Sequence, residues 1–169
     1  MRTLLFSLAL LIDLLIALPA FAAEPLQKHG IVLMQTESDV QSRVPSVDAM
    51  ANYIRAVEQA ANDHLSTLPQ GQPMSGYIVI AVRGQQLRSW LSLVPQLPDD
   101  GAAALKAAID RVMPFRAKDG PVVFAISVGI WGGPPPQASA PNPPEFRAAT
   151  KAAGRPLEIG ELVERIWND

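Results

Sequence analysis

The 169-residue chain contains no cysteine. That excludes disulfides, thiol catalysis and cysteine-ligated metal, so an ordinary apolar core must hold the fold together. Charge of one sign is also missing: 14 Lys and Arg against 16 Asp and Glu leave a formal net charge of −2. This is too little to argue for nucleic acid or an anionic membrane surface as a partner. His29 and His64 are the two histidines. No His-x-x-x-His pair or Asp/Glu-rich loop offers further ligands, so no metal is expected and both imidazoles read as surface or helix-boundary residues. Motifs for phosphate or dinucleotide binding are absent, and no Gly-x-Ser-x-Gly elbow occurs; Arg83-Gly84-Gln85 reads as a hairpin turn. Asp63 cannot orient His64, because adjacent positions on a helix do not face each other, and Ser66 is no better placed. Glu37 and Asp39 lie in a polar arm and Asp99-Asp100 suit a helix cap, which leaves no carboxylate pair set in an apolar pocket. The expectation is a protein that is not an enzyme and carries no cofactor.

What is present begins with a leader. Arg2 precedes the run Leu4–Leu18, broken only by Ser7 and Asp13, and Pro19-Ala20-Phe21-Ala22-Ala23 supplies an Ala-x-Ala signal. A charged start, an apolar middle and a small-residue end read as a secretory signal peptide over residues 1–22. An uncleaved anchor is the alternative, but Asp13 near the middle would cost about 2.5–3.5 kcal/mol on insertion scales. Cleavage after Ala22 removes Arg2 and Asp13 together, so the charge stays at −2, and no stable membrane insertion is expected afterwards. The remaining stretch of roughly 145 residues is long enough for a core of its own. Export without cysteine fits a periplasmic location.

Residues 23–45 form an arm in which Gly30-Ile31-Val32-Leu33-Met34 could be a short strand. A helix follows, opened at Pro45 or Ser46, with Asp48 in its first turn. Val47, Met50, Ile54, Val57, Ala61, Leu65 and Leu68 recur at helical steps and predict one buried face. Pro69–Pro73 ends it. Gly76–Arg83 alternates, with Ile78, Ile80 and Val82 on one side and Tyr77, Val79 and Ala81 on the other. Leu87–Val94 reads as its return strand. Asp99 or Asp100 caps a second helix with Ala102, Leu105, Ile109, Val112 and Met113 on its apolar face, stopped by Pro114. After the turn Asp119-Gly120-Pro121 comes Val122–Trp131, apolar on both faces, which means a strand covered on both sides or awaiting a cover. Ile80, Leu105, Ile109, Phe124 and Ile126 are expected to centre one core. Residues 134–169 read as a proline-rich linker, a possible short helix over Pro144–Ala153 and a C-terminal helix with Ile159, Leu162, Val163 and Ile166 on one side.

The order helix, strand, turn, strand, helix, strand resembles the C-terminal domains of the TonB/TolA family. The residues that carry the resemblance are Gly76-Tyr77-Ile78-Val79-Ile80-Ala81-Val82, Leu105-Lys106-Ala107-Ala108-Ile109 and Gly120-Pro121-Val122-Val123-Phe124, with the helix Val47–Leu68 closer to the TolA version. The match covers about half the chain. It implies an α+β domain over residues 46–133: two layers, an antiparallel three-stranded sheet with helices on one face, plus the C-terminal tail helix. Members of the family bind short extended peptides of envelope partners, commonly by adding a strand to the sheet. Those that transmit energy keep an anchor with functional polar residues, including a histidine, and a long spacer. This leader has no histidine and only a short arm follows it, so the resemblance implies a freestanding binding or adaptor domain.

Tyr77, Trp90 and Trp131 project by strand parity away from the Ile78 side. With Val123 and Ser127 of the last strand they form the candidate partner-binding surface, used through the strand's edge or through its second face. The competing reading is that the tail segment Leu157–Trp167 folds back and buries them. For function, the expectation is an exported periplasmic domain that recognises a protein or peptide partner in the cell envelope. The alternative is an immunity or inhibitor protein that blocks a toxin or envelope enzyme.

Overall fold

A computed structural model describes residues 24–138 and 140–168. The expected signal peptide lies outside the described residues. The chain begins with β1 (Leu26–Leu33) and the short helix α1 (Glu37–Arg43), then the long helix α2 (Val47–Ser66) and the strands β2 (Met74–Arg83) and β3 (Gln86–Val94). Helix α3 (Asp99–Asp110), strand β4 (Val122–Ile130) and helices α4 (Pro144–Ala153) and α5 (Ile159–Asn168) complete it. The four strands form one antiparallel sheet in the order β1-β4-β2-β3.

Local chemistry accounts for the boundaries. Thr36 and Ser46 cap α1 and α2 by accepting the amides of Asp39 and Ala49 at 3.2 and 3.0 Å, each satisfying a donor that a helix start leaves free. Gly84, at φ 59°, takes the first position of the two-residue turn joining β2 to β3, where an L side chain would be strained. Pro144 supplies a pre-set φ at the start of α4, and Gly154 in the left-handed region ends it.

Strand parity builds two cores. Ile78, Ile80, Val82, Phe124 and Ile126 face α2 and α3, where they bury Val57, Ala61, Leu65, Leu105 and Ile109. The five expected central residues Ile80, Leu105, Ile109, Phe124 and Ile126 all lie fully buried in this cluster. Tyr77, Val79, Ala81, Val123 and Ala125 face the other way and pack against Phe146, Ala149, Leu162 and Val163 of α4 and α5.

The architecture therefore differs from the expected two layers. The sheet has four strands because the arm supplies β1, which pairs with β4 from Leu26↔Ile130 to Leu33↔Phe124. Helices cover both faces because β4, apolar on both, could not leave either one in water. Two smaller expectations also change. Val47 starts α2 and is 73 % exposed, since the first residue of a helix has no turn before it to fold against, and Met113, beyond the end of α3, is 79 % exposed.

Candidate functional site

The five residues expected to form a partner surface do not form an exposed one. Tyr77 and Trp90 are 5 and 6 % exposed, Val123 is fully buried and Ser127 is buried. The Trp90 indole meets Phe146 of α4 edge to face, with centroids 5.0 Å apart. The Tyr77 hydroxyl donates to the Ala138 carbonyl in the proline-rich segment. Trp131 departs from its parity partners altogether. Its φ of 51° turns the chain at the end of β4, and its ring packs over Gly71 on the side of the first core. An added Cβ at Gly71 would lie 2.3 Å from that ring, which is why the loop after α2 needs glycine there.

The tail is fastened by charge as well as by apolar contact. Arg83 Nη1 lies 2.7 Å from Glu164 Oε2, and the Arg83 and Arg88 guanidinium carbons stand 4.7 and 5.6 Å from the Trp167 ring centroid. Arg88 also donates to the Ile166 and Trp167 carbonyls, the natural place for a cation at a helix C-terminus. The edge of β4 is closed too. It lies between β1 and β2, so a strand cannot be added to it.

The chemistry-bearing groups are committed to the fold. His29 sits at the irregularity between Lys28 and Gly30 of β1, with Nε2 3.3 Å from the Gly133 carbonyl. It lies over Gly129, where an added Cβ would come within 2.7 Å of that nitrogen. His64 Nε2 is buried without a partner. Ser89, 1 % exposed, donates through Oγ to Asp110 Oδ1 at 2.5 Å, and Lys106 donates to the other oxygen of that carboxylate. Tyr53 packs edge-on to Phe115 and Phe124 with its hydroxyl buried and unpartnered. Burial, and then the Asp110 carboxylate, push that phenol well above its ordinary pKa. The Ser89 hydroxyl, almost shut from water, is thus occupied by the Asp110 carboxylate. Among the described residues no group of three or more His, Asp or Glu side chains is placed to hold a metal ion.

What remains accessible is the pair of outer strands. In β1, the Leu26 amide is capped by Asn62 Oδ1 at 3.1 Å and Lys28 lies 2.7 Å from Glu58 of α2. These contacts and the local bulge blunt the edge in the way natural sheets use to avoid wrong pairing. The β3 edge is regular. The Gly84-Gln85 turn makes Arg83 and Gln86 the closing pair, and antiparallel alternation then turns Arg88, Trp90 and Ser92 toward β2. The main-chain N–H and C=O of Leu87, Ser89, Leu91 and Leu93 point outward. Beside them runs a groove of about 300 Å³ floored by Leu91, Leu93 and Leu97, with Ala102 and Ala103 of α3 on one side and Pro144 and Glu145 of α4 on the other. The sequence marked β3 only as the return arm of a hairpin. Its alternation was readable, but which of its sides would lack a neighbour depends on strand order. No family model matches the chain, and neither a curated protein nor a solved structure does.

Proposed function

We propose that the protein is an exported, non-catalytic binding or adaptor domain that takes an extended segment of a partner protein in the cell envelope onto an edge of its sheet. The observation that carries this reading is the sheet itself, covered by helices on both faces and bounded by two outer strands. An added strand would draw affinity from main-chain hydrogen bonds and specificity from alternate side chains. The antiparallel order α2-β2-β3-α3-β4 supports architectural kinship with the TonB/TolA C-terminal domains. Two additions set it apart: β1 occupies the place beside β4, and α4 with α5 fills the second face. The commitment of Ser89, His29 and Asp110 to internal contacts favours binding over catalysis. The periplasmic setting rests on the leader's composition.

Site-directed photo-crosslinking in an exporting host tests the reading. A photoreactive residue at Ile31 reports on the β1 edge and one at Leu91 on the β3 edge, with Arg147 on the exposed side of α4 as control. One discrete protein partner captured from an edge position, and not from Arg147, is the expected result. Adducts from Arg147 alone, or none from either edge, would overturn it.

A further inference from the structure

The geometry points to the outer edge of β3 as the docking site of an extended peptide that alternates apolar with basic side chains. This inference rests on strand addition and adds which edge is used and what the partner looks like.

Three observations converge on it. The first is the continuity of β3, which pairs with β2 without a register shift from Gln86 to Val94, so the outward groups of Leu87, Ser89, Leu91 and Leu93 keep a regular ladder spacing. By contrast, β1 is interrupted between Lys28 and Gly30 and has its Leu26 amide already satisfied by Asn62. The second is the shape beside the edge. Small side chains at Ala102 and Ala103 hold the α3 wall back, and Leu91, Leu93 and Leu97 give it an apolar floor. A strand laid there would point alternate side chains at this wall and at the Pro144-Glu145 wall.

Charge is the third observation and sets the occupant. Among the described residues Lys106 is the one cation lining the groove, and it is paired with Asp110. Asp99 and Glu145 line the groove without an ion-pair partner among the described residues. The unbalanced charge at the groove is therefore negative on both walls. Basic side chains complement it, and acidic ones in the same register would be repelled, which gives discrimination as well as attraction.

The test uses the purified protein and a library of displayed nine-residue peptides, followed by amide hydrogen exchange of the protein with the enriched peptides. Enriched sequences should alternate apolar residues with Lys or Arg and should slow exchange at Leu87, Ser89, Leu91 and Leu93. Leu91→Pro removes one outward donor and leaves the β2 ladder intact, as proline on an edge strand does, and should weaken binding by about tenfold. If Leu91→Pro does not keep the wild-type circular dichroism spectrum, Glu145→Lys, on an exposed position, carries the test. It should shift selection from basic toward acidic peptides. Slowed exchange at Ile31 and Leu33 instead would overturn the choice of edge while sustaining strand addition. Enrichment without protection at either edge, or no enrichment, would overturn both. Concentration-dependent protection of the β3 amides without peptide would make a second copy of the chain the occupant and overturn the basic-peptide assignment.

Discussion

The Trp90 indole of β3 and the Phe146 ring of α4 meet edge to face, with centroids 5.0 Å apart and planes at 70°. This contact joins the hairpin to a helix more than fifty residues later in the chain and seals the sheet's second face. Aromatic pairs in this geometry contribute about 0.5–1.5 kcal/mol beyond the area they bury. Trp90 is thus a packing residue, and under the proposed strand addition the sheet's margin is what is left for a partner.

Phe146→Ala should destabilise the protein by about 3–5 kcal/mol, the usual cost of emptying a buried phenylalanine site. Binding of a hydrophobic dye should rise at the same time as Tyr77, Trp90 and Val123 are uncovered. Urea titration with dye fluorescence measures both. Wild-type stability in this variant would mean that α4 is not docked on the sheet.

Phe124→Ala should cost a comparable ~3–5 kcal/mol, because the ring is fully buried between β4 and the helices of the first core. A loss below ~1 kcal/mol in urea unfolding would place the ring outside that core, since Phe→Ala at a buried site does not cost so little.

Tyr53 makes stability depend on alkaline pH. Its folded pKa is raised, chiefly by burial and then by Asp110, so the folded state holds the phenolic proton more tightly than the unfolded chain. Its contribution is full below the unfolded value of about 10 and is lost as pH rises above it. Tyr53→Phe should flatten that alkaline slope. Near neutrality it should leave stability unchanged or slightly higher, because the hydroxyl has no partner to lose. Urea midpoints at pH 8 and pH 10.5 for both proteins give the comparison. An equal alkaline loss in both would assign the slope to other groups.

Export should be accompanied by cleavage after Ala22, giving a protein that begins at Ala23. Intact mass of the periplasmic product reads this directly. A full-length, membrane-held product would overturn cleavage and favour an anchored transducer.

Much of the fold was legible from residue spacing. Met50, Ile54, Val57, Ala61 and Leu65 marked α2, the alternation of Ile78, Ile80 and Val82 marked β2, and Gly84 marked the turn between strands. All of these depend on contacts within one element or between neighbours, where period and turn chemistry act. The central residues of the first core followed from the same parity. The apolar character of both faces of β4 also marked a strand that is either covered on both sides or awaits a cover.

That the tail segment Leu157–Trp167 folds back over this face was one of the sequence's two readings, and α5 bears it out over Tyr77 and Trp90. That α4 shares the covering, and what borders each strand, was decided only in three dimensions. The irregularity at His29 interrupts the pattern of β1, so the sequence offered only Gly30–Met34 as a short strand in the arm, yet the strand runs from Leu26 to Leu33, pairs along β4 and makes the sheet four-stranded. The proline-rich segment looked like a break in the chain, but the structure returns α4 and α5 to the sheet beyond it. Phe146, Leu162 and Val163 find Trp90 and Val123 there, and Arg83 and Arg88 hold Trp167. Trp131 shared its parity with Tyr77 in sequence, and a positive φ carried it to the opposite core. Composition and periodicity determined the elements and their buried sides, because those follow from local geometry and the removal of apolar surface from water. Strand order and the fate of the tail arise from pairings between distant segments, which local periodicity does not encode. They closed the expected aromatic face and left β3 as an outer edge.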